Sequence, residues 1–206
     1  MKRGTGPLLL AGGDPADRAV VIRTWRLLPK ALRARVLTAG IRARCLSPGT
    51  RFCDVATRDL SPQSETAWGL FVRDDRAMYF AAGVTESTVL HELGHAVDWA
   101  YGPGRLFATE AAVFEKHWAD LLRAHLAGGR FLNAYAKINE QEYFAEAFRI
   151  WHGVNAGAPV DRHGDRVYLR AVDPRLCNII DALIMSGTWP PGNLTWPDVD
   201  TRSMVY

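Results

Sequence analysis

Two histidines and a glutamate, His91, Glu92 and His95, have the types and spacing of a metal-dependent hydrolytic site. Residues four apart on an α-helix lie one turn apart on the same face, so both imidazoles can reach one cation. The glutamate after the first histidine points into the same cleft, where it can take a proton from a metal-bound water. Paired histidines also occur as ordinary polar surface, but the intervening glutamate favours metal binding. The spacing therefore predicts zinc ligands at His91 and His95 and a catalytic base at Glu92.

The flanking residues predict the helix that this spacing requires. An apolar stripe at helical spacing consists of Val89, Leu90, Leu93, Ala96, Val97 and Ala100. Hydroxyl side chains between Thr85 and Thr88 can cap the N-terminus of the helix, and Gly102-Pro103-Gly104 can end it. One face of this helix is therefore expected to pack against the core, while the histidines line the other.

A catalytic zinc site has three protein ligands and one open position, so a further ligand must come from another segment. Residues of a suitable type include His117, His125, His152, His163, Asp98 and Glu110. Residues 139–148 are the richest stretch, because Glu142 and Glu146 share one face of a helix. Tyr135 would lie on the same face, seven residues before Glu142. Buried carboxylates need a cation nearby. The spacing alone leaves Glu140 and Glu142 both open as the third ligand.

Two blocks of the sequence resemble the catalytic domain of anthrax toxin lethal factor and the secreted Pro-Pro endopeptidases. The first block, residues 85–101, contains HELGHAVD; the second, residues 135–152, contains Tyr135 and then NEQEYFAEAFR. The likeness is looser over residues 27–84 and 166–185. It implies a zincin-like domain in which Glu142 completes the zinc site, with Glu140 as the reserve candidate.

The resemblance also implies roles for residues around the metal. Tyr135 would help to stabilise the tetrahedral intermediate, and Glu146 would support the ligands from behind. Glu146, or alternatively Asp98, could hold a zinc-bound imidazole by its second nitrogen. Zinc would lower the pKa of its water from about 15.7 towards about 7. Glu92 would accept the proton and pass it to the leaving amine.

These assignments predict a zinc-dependent endopeptidase that contains one zinc ion, acts on an extended protein or peptide substrate, and could serve as a toxin or effector. The alternative is a zinc-stabilised module that binds a peptide without cutting it. A structural zinc site normally has four protein ligands and has no use for Glu92, which argues against that alternative. The same chemistry could hydrolyse another amide, such as one in the cell wall, but no feature of the sequence favours that reaction.

The sequence predicts an α+β fold, a single helix-rich domain with a small mixed or antiparallel sheet beside the zinc-binding helix. The predicted helices cover residues 18–37 with a break at Pro29, 85–101, 107–127, 131–152 and the segment from Asp173 onwards, and the predicted strands cover 40–46, 52–55, 67–72 and 77–82. The last two strands form a hairpin. Its edge could bind an extended substrate through main-chain hydrogen bonds, unless the strand is paired on both sides.

The 206 residues, 48% hydrophobic and 23% charged, have the composition of one globular domain. We predict a flexible leader at residues 1–17, the metallopeptidase domain at 18–187 and an irregular tail at 188–206. No apolar run approaches the roughly 18 residues of a membrane helix. The apolar segment near the N-terminus is too short for a signal peptide. We therefore expect synthesis in the cytoplasm, with any export by a signal-less route.

Charge is unevenly distributed along the chain. Residues 1–60 contain 12 Lys and Arg against 4 Asp and Glu, a net charge of +8, whereas residues 61–206 contain 13 against 18, a net charge of −5. The arginines of the first segment recur at near-helical spacing beside apolar residues, which is typical of a solvated helix face. We therefore do not expect a nucleic-acid partner. The three cysteines, Cys45, Cys53 and Cys177, are expected as free thiols, although a turn could bring the first two together.

Overall fold

The computed structural model describes residues 8–57, 66–104, 106–153 and 166–189. Within them the chain folds into a helix-rich α+β structure with one small sheet, which confirms the predicted fold class. The strands are β1 (Leu10–Ala11), β2 (Arg42–Cys45), β3 (Gly69–Val72) and β4 (Ala77–Phe80). The helices are α1 (Pro15–Trp25), α2 (Lys30–Thr38), α3 (Glu86–Tyr101), α4 (Ala112–Leu126), α5 (Glu140–Trp151), α6 (Arg166–Val172) and α7 (Pro174–Ser186).

The sheet is mixed, with its four strands in the order β1-β2-β4-β3. β1 and β4 both run parallel to β2, and β3 pairs antiparallel with β4 in the predicted hairpin. Alternation along β2 sends Ala43 and Cys45 into the core and leaves Arg42 and Arg44 exposed on the other face. β3 stands at one edge of the sheet, beside the helix that carries the paired histidines.

The core lies between the sheet and the helices. Residues of the predicted apolar stripe of α3 are all buried, at 0–5% exposure: Val89, Leu90, Leu93, Ala96, Val97 and Ala100. Aromatic residues of α5, including Tyr143, Phe144 and Phe148, are buried in the same cluster. α3 and α5 therefore pack directly against each other, and this packing brings the two predicted ligand segments together.

Gly94 allows this close approach, and its substitution provides a test. A methyl group at Gly94 would lie 2.7 Å from the Cα atom of Ala145 on α5. Alanine is favoured over glycine in a helix by about 1 kcal/mol. Because the obstacle is backbone, we expect the overpacking cost to exceed that gain, so that Gly94→Ala lowers the free energy of unfolding by about 1–3 kcal/mol. Urea unfolding measures this change.

The matched control is the pair Lys116→Gly and Lys116→Ala on the exposed surface of α4, which reports helix propensity without a packing contact. If the Gly94→Ala protein were as stable as the native protein, or more stable, the contact between α3 and α5 at Ala145 would not be tight enough to require glycine.

The N-terminal segment differs from the predicted leader. Leu10–Ala11 form β1, and α1 begins at Pro15 after Asp14, whose side chain accepts a hydrogen bond from the backbone N–H of Ala16 (2.7 Å). The predicted flexible leader therefore includes regular structure at residues 10–11 and 15–17. A two-residue strand has no periodicity to detect, because it is fixed by pairing with a strand over thirty residues away. Residues 1–7 lie outside the described residues.

Two further predicted elements are wrong. The strand expected at 52–55 is a 3-10 turn, Phe52–Asp54, in which Asp54 accepts a hydrogen bond from the backbone N–H of Arg51 (3.0 Å). The helix expected at 107–127 is divided, because Glu110 accepts a hydrogen bond from the N–H of Phe107 (2.6 Å) and closes a separate 3-10 turn before α4.

The segment expected as one helix over 131–152 is also divided. A 3-10 turn covers Tyr135–Lys137, and α5 begins only after Asn139, whose side chain accepts a hydrogen bond from the N–H of Glu142 (2.8 Å). α6 was not predicted. The final helix was predicted correctly, with Asp173 as its cap.

The described cysteines are free thiols, with Cys45 and Cys177 buried and Cys53 exposed. Among the described helices none combines the length and the apolarity of a membrane span. Residues 190–206, most of the predicted tail, lie outside the described residues.

Candidate metal centre

α3 holds the two histidines and the glutamate in a largely buried setting. The helix begins after Thr85, whose hydroxyl accepts a hydrogen bond from the N–H of Thr88 (3.3 Å), and it ends at Tyr101, before Gly102. Both ends agree with the sequence prediction. Glu92 and His95 are only 5% and 9% exposed. Polar groups buried to this extent need partners, which come from Glu142 of α5 for His95 and from the backbone of β3 for Glu92.

His91, His95 and Glu142 converge on one point. The two Nε2 atoms are 3.2 Å apart, and Oε2 of Glu142 lies 3.1 Å from Nε2 of His91 and 3.4 Å from Nε2 of His95. Their ligand-type atoms all lie within 4.8 Å of one another. Glu140, the other candidate at this position, instead accepts a hydrogen bond from the Gln141 side chain (3.0 Å).

These three residues fit a zinc ion. Zinc–ligand bonds of about 2.0–2.1 Å in a tetrahedron place the ligand atoms about 3.3 Å apart, close to the three observed separations. Within the described residues, Oε2 of Glu92 is buried without a hydrogen-bond partner, and Oε2 of Glu142 is buried against the two imidazole nitrogens. Imidazole nitrogens and a carboxylate oxygen that meet at such short distances are stabilised by a shared positive charge, which a proton or a metal ion can supply. Two imidazoles and a carboxylate are the ligand set of many catalytic zinc sites.

The electrostatics of the cluster favour a positive charge. Burial alone would lower the pKa of His91, but hydrogen bonds with Glu142 and Glu146 raise it to about 10. Burial would raise the pKa of Glu142, yet the two histidines hold it far below its ordinary value. A cation bound at this point would be stabilised by the same carboxylates.

Glu146 and its hydrogen-bond partners orient His91 through the ring nitrogen that does not face the cluster. Nδ1 of His91 is 2.7 Å from Oε1 of Glu146, so that Nε2 is directed towards the cluster. Arg149 donates hydrogen bonds to both oxygens of Glu146 (2.6 and 3.2 Å). Asn133 donates a further hydrogen bond to Oε2 of Glu146 and accepts one from the N–H of Ala136 (2.9 Å). Burial would raise the pKa of Glu146, but hydrogen bonds with His91 and Arg149, together with their charges, lower it to about 2.

Glu92 lies against the edge strand β3. A methyl group at Gly69 would lie 2.7 Å from Cγ and 2.8 Å from Oε1 of Glu92, so only glycine leaves room for the carboxylate there. The backbone N–H of Phe71 donates a hydrogen bond to Glu92. Burial, aided by the charge of Glu142, raises the pKa of Glu92 although His91 and His95 oppose this.

Tyr135 stands beside the cluster although it does not share a helix with Glu142. Its ring meets that of His91 edge to face, with centroids 5.5 Å apart, and the residue is 51% exposed. The argument from helical spacing for Tyr135 is therefore wrong, because its 3-10 turn is separate from α5. Burial and the charges of Glu142, Glu92 and Glu146 raise the pKa of Tyr135 to about 12, so its hydroxyl is a proton donor at neutral pH.

The other candidate residues have different partners. Asp98 accepts hydrogen bonds from the N–H and hydroxyl of Thr109 (2.9 and 2.6 Å). His117 bonds to Asp173 (2.8 Å), and His125 and His152 bond to backbone carbonyls. His163 lies outside the described residues.

Two residues of the centre were missed in the sequence. Gly69 had a usable signal, because an isolated glycine inside a strand marks a bulge or a close approach of another group. Asn133 had none, since it lies in an irregular segment and reaches Glu146 only through the tertiary fold.

Comparison with known proteins found a similar structure but no matching sequence family. No protein-family model and no curated protein matches the sequence. Among solved structures, the chain is similar to the Pro-Pro endopeptidase PPEP-2 from Paenibacillus alvei, with a TM-score of 0.54 over 86% of this chain and 97% of that one. The sequences are 16% identical, so the likeness shows the fold alone. The chain therefore shares this fold, and within it two histidines and a glutamate lie close enough together to hold a metal ion.

Proposed function

We propose that this protein is a zinc-dependent endopeptidase. His91, His95 and Glu142 would hold one zinc ion, Glu92 would be the catalytic base, and Tyr135 would assist at the carbonyl oxygen of the substrate. The observation that carries the proposal is the convergence of three ligand atoms within 3.1–3.4 Å of one another, with the buried carboxylate of Glu92 on the same helix turn. The similarity of the fold to a Pro-Pro endopeptidase supports the choice of a peptide as substrate.

The chain's own residues suit the steps of peptide hydrolysis. A zinc ion at this site would supply an activated water and polarise the scissile carbonyl. The Glu92 carboxylate, held by the Phe71 N–H, is suited to accept a proton and return it to the leaving amine. The Tyr135 hydroxyl can donate a hydrogen bond to an oxygen that gains negative charge beside His91.

The sheet edge offers a binding position for an extended substrate. β3 pairs with β4 on one side, and in the described ranges no strand pairs with its other side. Its residues Gly69 and Phe71 both contact Glu92. A peptide added to this edge by main-chain hydrogen bonds would therefore pass beside the proposed base.

Zinc content and cleavage of a peptide library test the proposal directly. We expect one zinc ion per chain and cleavage at defined positions, with no cleavage after treatment with a chelator and recovery when zinc is restored. The same library incubated with Glu92→Gln protein identifies products of any contaminating peptidase. Zinc-loaded protein that retains library peptides but never cleaves them would instead indicate a binding module.

Asn133 provides a test of how the zinc ligands are held. Removing its amide deletes one of the two hydrogen bonds to Oε2 of Glu146, the residue that orients His91. Loss of such supporting bonds typically weakens metal affinity by about 10–100-fold. We therefore expect Asn133→Ala to weaken zinc binding by that factor in competition with a chelator. The matched control is Asn178→Ala, which removes an exposed asparagine side chain from α7. Equal zinc affinity in the two variants would contradict the proposed support.

A further inference from the structure

A recess lies on the face of the sheet that is turned away from α3 and the metal centre. Its volume is about 550 Å3. The floor comes from β2 and β4, one wall from the β1 segment and the other from the loop that follows β2. The lining residues are Leu9, Leu10, Ala11, Gly12, Arg42, Ala43, Arg44, Val55, Thr57, Ala77 and Tyr79. A recess of this size, with mostly apolar walls and a few polar groups, is typical of sites for small ligands.

Two arginines supply the charge of the recess. Arg42 and Arg44 alternate with the buried Ala43 on β2, so both project from the same face. They are paired in register with Ala77 and Tyr79 of β4, which belong to the floor. Residues two apart on one strand are about 7 Å from each other, a spacing from which two guanidinium groups can hold one anionic group.

The positive charges of these arginines are only partly balanced among the described residues, where the carboxylate of Asp75 interacts with the charge of Arg42 without a direct bond. In the ranges that the structure describes, neither guanidinium forms an ion pair or a side-chain hydrogen bond. The carboxylate of Asp75 accepts hydrogen bonds from the Tyr79 hydroxyl (2.7 Å) and the Thr57 N–H (3.1 Å), and also from the Thr57 hydroxyl. Asp75 is thus held by Thr57 and Tyr79, which line the recess, and its oxygens form no direct bond with either arginine.

We propose that this recess binds a small ligand with one anionic group, a carboxylate or a phosphate, on an apolar body. The anionic group would bond to Arg42 and Arg44, and the apolar body would lie against Leu9 and Val55. This site is separate from the metal centre, because it is formed on the opposite face of the sheet from α3. The inference stands whether or not the protein is a peptidase.

Binding of octanoate, octyl phosphate and octanol to the full chain tests the proposal. We expect saturable changes in the amide NMR signals of residues 9–12 and 42–44 with the two anions, without matching changes at residues 91–95. Octanoate and octyl phosphate distinguish the two anionic groups. Octanol has the same apolar body without charge, and we expect it to bind at least about tenfold more weakly. Binding should weaken as salt is added.

Substitution of one arginine supplies the second measurement. We expect Arg44→Ala to weaken binding of the preferred anion by about tenfold or more, and Arg44→Lys to weaken it less, because the charge is kept while the forked geometry is lost. Arg26→Ala, an exposed arginine at the end of α1, is the matched control and should bind like the native protein. Equal binding of octanol and octanoate, no saturable change at residues 42–44, or equal affinity of Arg44→Ala and Arg26→Ala would overturn the proposal.

Discussion

Replacing Glu92 with glutamine should lower kcat for peptide cleavage by a factor of about 10² to 10⁴, while the protein keeps its zinc. Glutamine has nearly the same shape as glutamate, so it can fill the space beside Gly69 and still accept a hydrogen bond from the Phe71 N–H. It cannot accept a proton from water at neutral pH. The substitution therefore removes the proposed base and leaves the fold and the three ligands in place.

Two measurements are needed on the Glu92→Gln protein, namely zinc content and single-site peptide cleavage. A pair of variants on α5 provides the control. Glu142→Gln should lose tight zinc binding, whereas Glu140→Gln, on the same helix turn, should keep both zinc and activity, because Glu140 bonds to Gln141 rather than to the cluster. Undiminished cleavage by Glu92→Gln would eliminate Glu92 as the base. Loss of zinc from that variant would mean that its carboxylate serves the metal instead.

The histidine helix could be predicted from the sequence because every signal that defines it is local. Thr85 caps it, Gly102 follows its last turn, and the apolar stripe at helical spacing is buried throughout. The histidine spacing within one helix then determines that both imidazoles reach the same point. The hairpin of β3 and β4 could be predicted for the same reason, since its two strands are joined by four residues.

The choice between Glu140 and Glu142 could not be made from spacing alone. Asn139 is the cap of α5, and its hydrogen bond to the Glu142 N–H fixes where the helix begins. From that start, Glu142 and Glu146 lie one turn apart on the face towards α3, where they meet opposite nitrogens of His91. A cap residue is a sequence signal for a helix start, but which face meets a partner helix depends on tertiary packing.

Elements that depend on contacts distant in the sequence could not be predicted. β1 has two residues and exists only because it pairs with β2 across α1 and α2. Tyr135 reaches His91 from a turn that the helical pattern of residues 131–152 concealed. Local periodicity describes which face of an element is apolar, but not which distant element covers that face.

Replacing Asp173 with alanine should lower the free energy of unfolding by about 3–7 kcal/mol, a large part of the roughly 5–15 kcal/mol that stabilises a typical domain. Asp173 is 1% exposed and joins three helices. Its Oδ1 caps α7 by accepting hydrogen bonds from two backbone N–H groups, while Oδ2 bonds to His117 of α4 and the Tyr143 hydroxyl of α5, each at 2.8 Å. Alanine removes the cap, at about 1 kcal/mol, and leaves two buried polar groups without this partner, at about 1–3 kcal/mol each.

Urea unfolding of three variants separates these contributions. Asp173→Asn can still cap α7 and should be less destabilised than Asp173→Ala. Asp120→Ala removes an aspartate with two exposed ion pairs, to Lys116 and Arg123 (2.7 Å each), and should change stability by less than about 0.5 kcal/mol. Similar losses for Asp173→Ala and Asp120→Ala would contradict the central position of Asp173 in the core.

The contribution of Asp173 to the free energy of unfolding depends on pH, because its carboxyl group ionises. Burial would raise its pKa, but bonds from His117, the Leu176 N–H and Tyr143 hold the pKa below its ordinary value in the folded protein. A carboxyl group with a lowered pKa contributes stability that is complete above its unfolded pKa of about 3.9 and is lost as the pH falls through the folded value. The free energy of unfolding of the native protein should therefore exceed that of Asp173→Asn by the largest amount near pH 6–7. This difference should shrink below about pH 4. A difference that grew in acid would show that Asp173 is protonated in the folded protein.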